Sequence, residues 1–312
     1  MAGRLMLLDS ASMYFRAFHG VPDSIVAPDG SPVNAVRGFL DMIATLVTSR
    51  RPDRLVACWD EDWRPAFRVA AIPSYKAHRL ADPATNRETT PPALDPQIPV
   101  IAEVLAALGV ARVGAAGFEA DDVIGTLAAG EVARVKGGGP ADVEVVTGDR
   151  DLFQLVDDAA GVRVLYIGRG VRNLEVVDAA RLRERYGVRD GGSYADLAIL
   201  RGDPSDGLPG VPGFGEKTAA GLLGRYGSLE SLLAATERGD PGLSAGQRAR
   251  LVAAGDYLAA APLVVRVAVD APVNRVDDAL PRTPPDPDAV LALGERWGIE
   301  SSLTRVVRAF TR

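Results

Sequence analysis

VEVVTGDRD, residues 143–151, shows the pattern from which the fold can be inferred. Its valine-rich run ends at Asp149, and two other runs end the same way, LMLLD at Asp9 and LVACWD at Asp60. Unalternated runs of this kind are typical of strands buried on both faces of a parallel sheet. Helical patterns separate the runs, over residues 33–51, 97–108 and 119–136. The alternation predicts an α/β fold built on a doubly wound, mostly parallel sheet.

The three strand-end aspartates indicate where a site is expected. Ligands of a doubly wound sheet bind beyond the carboxyl ends of the strands, where the strand order reverses. Asp9, Asp60 and Asp149 all follow such ends. We therefore expect their side chains to converge on one crevice.

Residues 64–99 interrupt the predicted sheet. They carry seven prolines together with basic residues, and we interpret them as a long excursion, partly helical and partly mobile. A glycine-rich break at 136–140 is interpreted as a surface loop between a helix and a strand.

From about residue 179 the pattern becomes helical, which predicts two domains, residues 1–178 and 179–312. Residues 195–235 are predicted to form a helix, a tight loop rich in glycine and proline, a second helix and a short helix from Ser228. The tail contains the strand-like run LVVRVAV at 263–269, then a linker and a last helix.

Composition limits the class of protein. The chain is 47% apolar and 24% charged, which is ordinary for a globular protein. Cys58 is its single cysteine, which excludes an internal disulfide and fits a reducing compartment. No apolar run reaches the roughly 18 residues that a membrane span needs, so we expect a soluble, cytoplasmic protein. The net charge of −6 alone argues mildly against a nucleic-acid partner.

Acidic residues cluster around the expected crevice. Glu119 and Asp122 share one face of a helix, and Asp149 and Asp151 point the same way if their backbone is extended. The full set has nine members: Asp9, Asp60, Glu119, Asp121, Asp122, Asp149, Asp151, Asp203 and Asp206.

Each acidic group has a structural interpretation when it is considered alone. Acids in a first helical turn favour the helix macrodipole, and GDPSD at 202–206 is typical of a β-turn. Several acids at successive strand ends are not explained in this way. Clustered carboxylates need cations, and Mg²⁺ and Mn²⁺ prefer oxygen ligands. The pattern therefore predicts a divalent-metal centre of the kind used for phosphodiester hydrolysis, in which a metal ion lowers the pKa of water.

The predicted centre also changes the charge argument. The nine acids exceed the net charge of −6, so the rest of the chain is positive. A nucleic-acid partner is then compatible with the composition.

Seven motifs occur in order over about residues 4–235: LLDSASMYFRAF, VNAVRGF, CWDEDWRPAFR, YKAHR, GFEADDVIGTLA, VVTGDRDLFQLV and LRGDPSDGLPGVPGFGEKTAAGLL. Together they resemble the bacterial 5′ nucleases of the flap endonuclease family, including the N-terminal nuclease domain of DNA polymerase I. Polymerase sequence does not follow, so the chain resembles a stand-alone actinobacterial member. The resemblance implies a PIN-like 5′ nuclease fold with a helical arch at about 64–99 and a helix-three-turn-helix at about 195–235.

The resemblance also implies a function. It indicates a structure-specific 5′–3′ exonuclease and flap endonuclease that hydrolyses DNA with two or three divalent cations, Mg²⁺ or Mn²⁺. Expected substrates are 5′ flaps, nicks and duplex ends, including RNA-primed strands, during replication and repair. A nucleoid-associated monomer is the family expectation. All nine acids match the family's metal-binding positions, which favours an active enzyme.

Basic residues of the excursion are assigned by the same motifs. Lys76 and Arg68 match the residues that steer the scissile phosphate, and Arg79 and His78 are weaker matches. Tyr75 either stacks on a base or belongs to the core.

The glycine-rich hairpin is expected to grip duplex DNA. Free N–H groups at a helix N-terminus near Gly215 can hold a phosphate, and Lys217 adds charge there. Gly213 and the hydroxyl of Ser205 belong to the same expected DNA-binding loop. The resemblance further implies a K⁺ ion held by main-chain carbonyls at Leu200, Arg201, Pro209, Val211 and Phe214.

The chain departs from the family pattern at a few positions. Gly207 replaces a usual Asn, Ser10 replaces a common Gly, and the segment 64–99 is longer and richer in proline than usual. Three alternatives remain: a catalytically silent DNA-binding module, a PIN-like RNase and a metal phosphatase. The full acidic cluster argues against the first, the glycine-rich hairpin against the second, and the basic excursion against the third.

Overall fold

The computed structural model describes residues 3–82, 84–135 and 137–311. Two residues used in the sequence analysis lie outside the described ranges. They are Pro83 of the excursion and Lys136, where a predicted helix ends and a glycine-rich loop begins. The strands are β1 (Leu5–Asp9), β2 (Arg54–Cys58), β3 (Leu80–Asp82), β4 (Arg87–Glu88), β5 (Ala111–Val113), β6 (Val143–Thr147), β7 (Val162–Tyr166) and β8 (Glu175–Val177).

The main sheet has the order β5–β2–β1–β6–β7–β8. Its first five strands pair in parallel, and β8 runs antiparallel to β7. The prediction of a mostly parallel α/β sheet is therefore confirmed. The strand order reverses at β1, because β2 lies on one side of it and β6 on the other.

The helices of the first half are α1 (Ser10–Gly20), α2 (Asn34–Arg50), α3 (Ala66–Ala71), α4 (Gln97–Leu108) and α5 (Ala120–Val135). The second half contributes α6 (Ala179–Tyr186), α7 (Gly191–Arg201), α8 (Glu216–Tyr226), α9 (Leu229–Glu237), α10 (Ala245–Ala253), α11 (Gly255–Val265), α12 (Pro287–Trp297) and α13 (Glu300–Phe310). None of the helices in the described ranges is long and apolar enough to cross a membrane.

Two apolar clusters cover the two faces of the sheet. Met6 and Leu8 of β1 belong to one cluster with α2, α4 and α13, and Leu5 and Leu7 belong to the other with α5, α7 and α11. Alternate side chains of a strand point to opposite faces, so β1 is buried on both sides. Its sequence is apolar up to Asp9 for this reason, and Asp9 emerges at the carboxyl edge.

The excursion is compact over its described residues. It contains the six-residue helix α3, a 3₁₀ turn at Ala77–Arg79 and the hairpin β3–β4. The expectation of a partly helical segment agrees with α3, whereas a longer helical arch is not present in the described part of 64–99. Pro91, Pro92 and Pro96 limit helix growth before α4, because proline removes a backbone donor.

The strand expected at 263–269 is wrong. Leu263–Val265 complete α11, and the chain then continues in extended form outside any sheet. The main-chain N–H groups of Val267 and Ala268 donate to the side chains of Gln154 and Asp122, both at 3.0 Å or less. The extended backbone is thus held by side-chain acceptors rather than by a strand.

Residues after 270 pack on the α/β body. Asp278 forms a bidentate ion pair with Arg54, with N–O distances of 2.8 and 2.6 Å. Its main-chain oxygen accepts a hydrogen bond from Leu55. The last helix, α13, packs along α2.

Candidate active site

Acidic side chains meet at the carboxyl edge of the sheet, at the point where the strand order reverses. Asp9 ends β1 and caps α1, Asp60 follows β2, and Asp149 follows β6. Together with Glu119 and Asp121 at the start of α5, they line a cavity of about 870 Å³. The three strand-end aspartates therefore converge on one cavity, as the strand order predicts.

A second, narrow cavity of about 50 Å³ adjoins the first. Asp151, Asp203 and Asp206 line it. Glu119, Asp121 and Asp149 line both cavities, so they form the shared wall between them. Eight of the nine acids thus border one continuous crevice.

Asp9 is fixed by two hydrogen bonds. The N–H of Ser12 donates to Oδ1 at 3.0 Å, and the hydroxyl of Thr147 donates to Oδ2 at 2.6 Å. Burial raises the pKa of Asp9 to about 7, and the charges of Asp60 and Asp149 add to the effect. Thr147 was missed by sequence reasoning, although it directly precedes the Gly-Asp of the TGDRD motif.

The neighbouring acids are also shifted toward their protonated forms. Burial raises the pKa of Asp60, Asp121, Asp151 and Asp206. Nearby carboxylates raise it further: Asp9 and Asp149 act on Asp121, and Asp149 acts on Asp151. Desolvation and like-charge repulsion of this kind are relieved by a bound cation.

Glu119 and Asp122 are neutralised by protein cations. Arg68 donates to Asp122 at 2.8 and 2.6 Å and to Glu119 at 3.0 Å. Lys76 and the hydroxyl of Tyr75 also donate to Glu119. The carboxylate of Asp122 also accepts hydrogen bonds from the N–H groups of Glu119 and Ala268. Asp122 lines neither cavity, which sets it apart from the other acids.

Arg68 and Tyr75 are both buried, which differs from the position expected for Arg68 and agrees with the core alternative for Tyr75. Arg68 is only 3% exposed, and its Nε donates to the carbonyl of Val264 at 3.0 Å. Tyr75 is 4% exposed and directs its hydroxyl to Glu119 at 2.7 Å. Both side chains line the narrow cavity, but their polar groups are committed to Glu119 and Asp122, which does not suit phosphate steering by Arg68 or base stacking by Tyr75.

Lys76 and Arg79 do border the crevice. Both line the two cavities, and Arg79 pairs with Asp206 at 2.7 Å. Burial alone would lower the pKa of Lys76, but Glu119 and the other nearby anionic groups raise it well above its usual value. Lys76 therefore remains charged beside the acids.

The TGDRD turn differs from the extended backbone expected for it. Asp151 begins a 3₁₀ turn, Asp151–Leu155, and its N–H donates to Oδ1 of Asp149 at 3.0 Å. Both carboxylates line the narrow cavity, although a 3₁₀ turn stands where extended backbone was expected.

The set of donors suits a hard divalent cation. Six carboxylates on the crevice have no ion pair with a cationic side chain among the described residues: Asp9, Asp60, Asp121, Asp149, Asp151 and Asp203. As arranged in the described ranges, no three or more His, Cys, Asp or Glu side chains are drawn together in a metal-binding geometry. Glu119, Asp122 and Asp206 face Arg68, Lys76 and Arg79 instead. The six side chains without an ion pair in the described ranges all offer carboxylate oxygens, which are the ligands that Mg²⁺ and Mn²⁺ prefer.

The glycine-rich hairpin forms as predicted. It joins α7 to α8, whose N-cap is Gly215, and α9 follows with Ser228 as its N-cap. Gly213, Gly215, Lys217 and Ser205 are exposed.

The expected K⁺ carbonyls lie on the same hairpin. The carbonyl of Leu200 accepts from Val211 at 2.9 Å, and that of Val211 accepts from Phe214 at 2.9 Å. Arg201 and Pro209 flank the close approach of Gly202 to Gly210.

Comparisons with known proteins agree with this geometry. The 5′-3′ exonuclease N-terminal resolvase-like domain matches residues 4–187, and the 5′-3′ exonuclease C-terminal SAM fold matches residues 190–288. A 5′-3′ exonuclease of Streptomyces coelicolor is 60% identical over 98% of this chain and 100% of its own length. A 5′-3′ exonuclease of Mycobacterium tuberculosis is 53% identical over 99% and 98%. The chain belongs to the bacterial 5′-3′ exonuclease family.

More distant likenesses have the same fold. DNA polymerase I of Mycobacterium bovis is 44% identical over 73% of this chain and 24% of its own length. A bacteriophage T5 flap endonuclease, solved with DNA and metal ions, has a TM-score of 0.64 at 18% identity and covers 99% of this chain and 100% of its own. The catalytic core of Rad2 with DNA substrate has a TM-score of 0.59 at 17% identity and covers 99% and 92%.

Proposed function

We propose that this protein is a structure-specific 5′ nuclease that hydrolyses DNA phosphodiesters with divalent cations. The observation that carries the proposal is the set of six crevice carboxylates beside Lys76 and Arg79 that have no ion pair among the described residues. Membership of the 5′-3′ exonuclease family supports the same activity. The T5 and Rad2 structures, solved with DNA, support DNA as the partner.

Metal binding is assigned to the carboxylates that line the crevice. Asp9, Asp60, Glu119, Asp121 and Asp149 border the larger cavity, and Asp151, Asp203 and Asp206 border the narrow one. Two or three Mg²⁺ or Mn²⁺ ions bound there would supply Lewis-acid stabilisation of the phosphate and a more acidic water. Asp122 lines neither cavity, and it supports this group from behind by accepting a hydrogen bond from the N–H of Glu119.

Cationic side chains have two different roles in the proposal. Lys76 and Arg79 contact the phosphate at the crevice, because both reach its two cavities. Arg68 instead orients Glu119 and Asp122 by hydrogen bonds from its buried guanidinium. Thr147 holds Asp9 in the rotamer that faces the crevice.

The hairpin is proposed to hold duplex DNA. N–H groups around Gly213 and Gly215 and the charge of Lys217 form a phosphate site at the start of α8. Ser205 adds a hydroxyl, which donates to Asp203, and K⁺ would bind the main-chain carbonyls of the hairpin. The helical part from about residue 179 thus forms the DNA-binding domain, and recognition depends on shape and phosphates rather than on bases.

The expected substrates follow from this arrangement. A monomer that holds a duplex at the hairpin and cuts at the crevice acts on 5′ flaps, nicks and duplex ends, including RNA-primed strands. Its cellular work would be the removal of flaps and primers in replication and repair.

A cleavage assay with an isosteric variant tests the proposal. A 5′-end-labelled flap duplex is incubated with Mg²⁺, Mn²⁺ or EDTA, beside the Asp149→Asn protein and the control Asp288→Asn, whose exposed side chain lies outside both cavities. We expect metal-dependent cutting near the junction in the wild type and the control. Asp149→Asn should lose at least about 100-fold in rate, since a lost charge-stabilising group commonly costs that much, and should retain DNA binding. DNA binding without cutting in the wild type would instead support a silent DNA-binding module.

A further inference from the structure

The last two helices leave a groove on the surface of the molecule. A tight turn at Gly298 and Ile299 joins α12 to α13, and the two helices pack on α4 and α2 respectively. Between them lies an apolar cavity of about 350 Å³, which we call the C-terminal groove. The apolar residues that border it are Pro284, Pro287, Val290, Leu291, Leu303 and Val307. None of the nine crevice acids borders it, so the C-terminal groove is separate from the candidate active site.

Leu291 shows that the C-terminal groove is open to an apolar partner. Its side chain is 65% exposed, although Val290 and Leu293 of the same helix are buried. It faces a cavity whose opposite side carries the buried Leu303 and the half-buried Val307. A cavity of about 150 Å³ holds one benzene-sized group, so the groove accepts about two large apolar side chains.

The C-terminal groove has opposite charges at its two ends. Glu300 borders it at the start of α13, and Arg308 borders it about two turns later, which is about 12 Å along the helix axis. Both side chains are exposed, and neither forms an ion pair with another described residue. A ligand in the groove therefore meets an anion at one end and a cation at the other.

A second cavity, which we call the basic pocket, begins at Arg308. It has a volume of about 750 Å³ and is lined by Arg172, Arg305, Arg308 and the hydroxyl residues Thr45, Thr48 and Ser49 of α2. Arg305 pairs with the partly exposed Asp41 at 2.7 Å, whereas Arg172 and Arg308 have no ion pair within the described ranges. Because Arg308 borders both cavities, the C-terminal groove leads into the basic pocket.

The order of these features selects the chemistry of the ligand. An apolar groove that continues into a basic pocket is complementary to a peptide with apolar side chains next to carboxylates. Glu300 repels carboxylates at the far end of the groove, so the acidic end of the peptide lies at Arg308. A nucleic-acid strand would satisfy the arginines but would leave the apolar groove empty.

A second copy of the chain fits this surface less well than a short peptide does. Stable interfaces bury at least about 1,200 Å² of surface in total. Among the described residues of α12 and α13, Leu291 is the only large apolar side chain that is exposed. A cavity for about two side chains and one exposed leucine supply too little apolar area for a stable dimer.

We propose that the C-terminal groove and the basic pocket together dock a short segment of a partner protein, which carries two large apolar side chains next to acidic residues. The apolar side chains enter between α12 and α13, and the carboxylates meet Arg308 and Arg172. The docking surface goes beyond the nuclease function and does not depend on it, because it shares no residue with the acidic crevice. A docked partner thus leaves the crevice open.

The test uses peptides selected on the full-length protein. A phage-displayed library of short random peptides is enriched on the wild type, and the enriched sequences are synthesised with a fluorescent label. Their Kd is measured by anisotropy with the wild type, Leu291→Ser and Arg308→Ala. The matched controls are Leu263→Ser and Arg275→Ala, whose exposed side chains border neither cavity. Melting temperature and flap-duplex cleavage verify that each variant is folded.

We expect the enriched peptides to combine large apolar residues with acids at one end. Leu291→Ser should weaken their binding by about tenfold or more, because it removes an apolar contact. Arg308→Ala should weaken it by about two- to fivefold, the range of an exposed ion pair. Changing the peptide's acids to amides should weaken binding to the wild type and have a smaller effect on Arg308→Ala. Both control variants should bind as the wild type does, and cleavage should be unchanged throughout.

Three results would overturn the docking proposal. If no peptide is enriched, or if the enriched peptides bind Leu291→Ser and Arg308→Ala as tightly as the wild type, the surface does not dock peptides. Displacement of the peptide by a DNA oligonucleotide whose own affinity falls in Arg308→Ala would make nucleic acid the ligand. A dimer of the wild type in sedimentation, lost in Leu291→Ser, would make a second copy the ligand. The nuclease proposal survives all three results, since it rests on flap cleavage alone.

Discussion

Arg68 shows how single residues determine the chemistry of this crevice. Its buried guanidinium compensates Glu119 and Asp122 and also holds the end of α11 through Val264. Lys76 shares Glu119 with it. Glu119 and Asp122 are therefore neutralised within the protein and Asp206 is paired with Arg79, while the other six acids have no ion pair among the described residues and are left for a cation.

Replacing Arg68 with alanine should be strongly destabilising. The change leaves the buried Asp122 without its cation and Glu119 with Lys76 alone, and the loss of one partner of a buried pair costs about 3–5 kcal/mol. The control is Arg87→Ala, whose ion pair with Asp95 at 2.9 Å is exposed and should be worth about 0–1 kcal/mol. Urea unfolding measures both. Similar losses for the two variants would show that the buried pairing does not stabilise the fold.

At the scale of elements, the hairpin between α7 and α8 depends on glycines in the left-handed region. Gly202 has φ of +75° and Gly210 has φ of +66°. A Cβ atom on Gly202 would lie 2.5 Å from the main-chain nitrogen of Gly210. The two arms of the loop can approach this closely only because neither Gly202 nor Gly210 carries a side chain.

Gly202→Ala should therefore destabilise the protein by about 1–3 kcal/mol or more and weaken duplex binding at the hairpin. Gly221→Ala is the matched control: Gly221 lies within α8, and a Cβ there would meet no atom within 4 Å. That change should stabilise the helix by up to about 1 kcal/mol. Chemical denaturation and flap-duplex affinity check the pair. Equal behaviour of the two variants would contradict the role of the close approach.

The whole molecule brings together acids that are distant in sequence, and they affect stability jointly. Asp9, Asp121 and Asp151 come from β1, α5 and the turn after β6, and burial raises the pKa of each. Burial raises the pKa of Asp9 to about 7 in the folded protein, from the ordinary aspartate value of 3.8. Between these pH values the unfolded chain has released its proton while the folded protein still holds it. Raising the pH therefore favours the unfolded state, and the stability present below about pH 4 is lost as pH rises through 7.

We expect the melting temperature in EDTA to be several degrees lower at pH 8 than at pH 5, by roughly 3–8 °C. Added Mn²⁺ should reverse the loss at pH 8 more than at pH 5, because cations bind the ionised carboxylates. Asp9→Asn should reduce the pH dependence. A melting temperature in EDTA that is equal or higher at pH 8 would exclude the proposed repulsion among the acids.

Much of this molecule is determined by local sequence. Apolar runs that end in Asp define the parallel strands and place Asp9, Asp60 and Asp149 at one edge. Glycines and prolines define the hairpin, since backbone conformation is a local property. Periodicity located α2, α4 and α5 to within about two residues.

Tertiary structure alone decided which side chains face the crevice. Asp122 is turned to Arg68 while its neighbour Asp121 lines the cavity, and Tyr75 is buried rather than exposed. It also decided that the chain after α11 closes over α5, where a strand was expected. These outcomes depend on burial and on charges contributed by distant segments, and the free energy of a buried charge is set by all of its neighbours in space rather than by its neighbours in sequence.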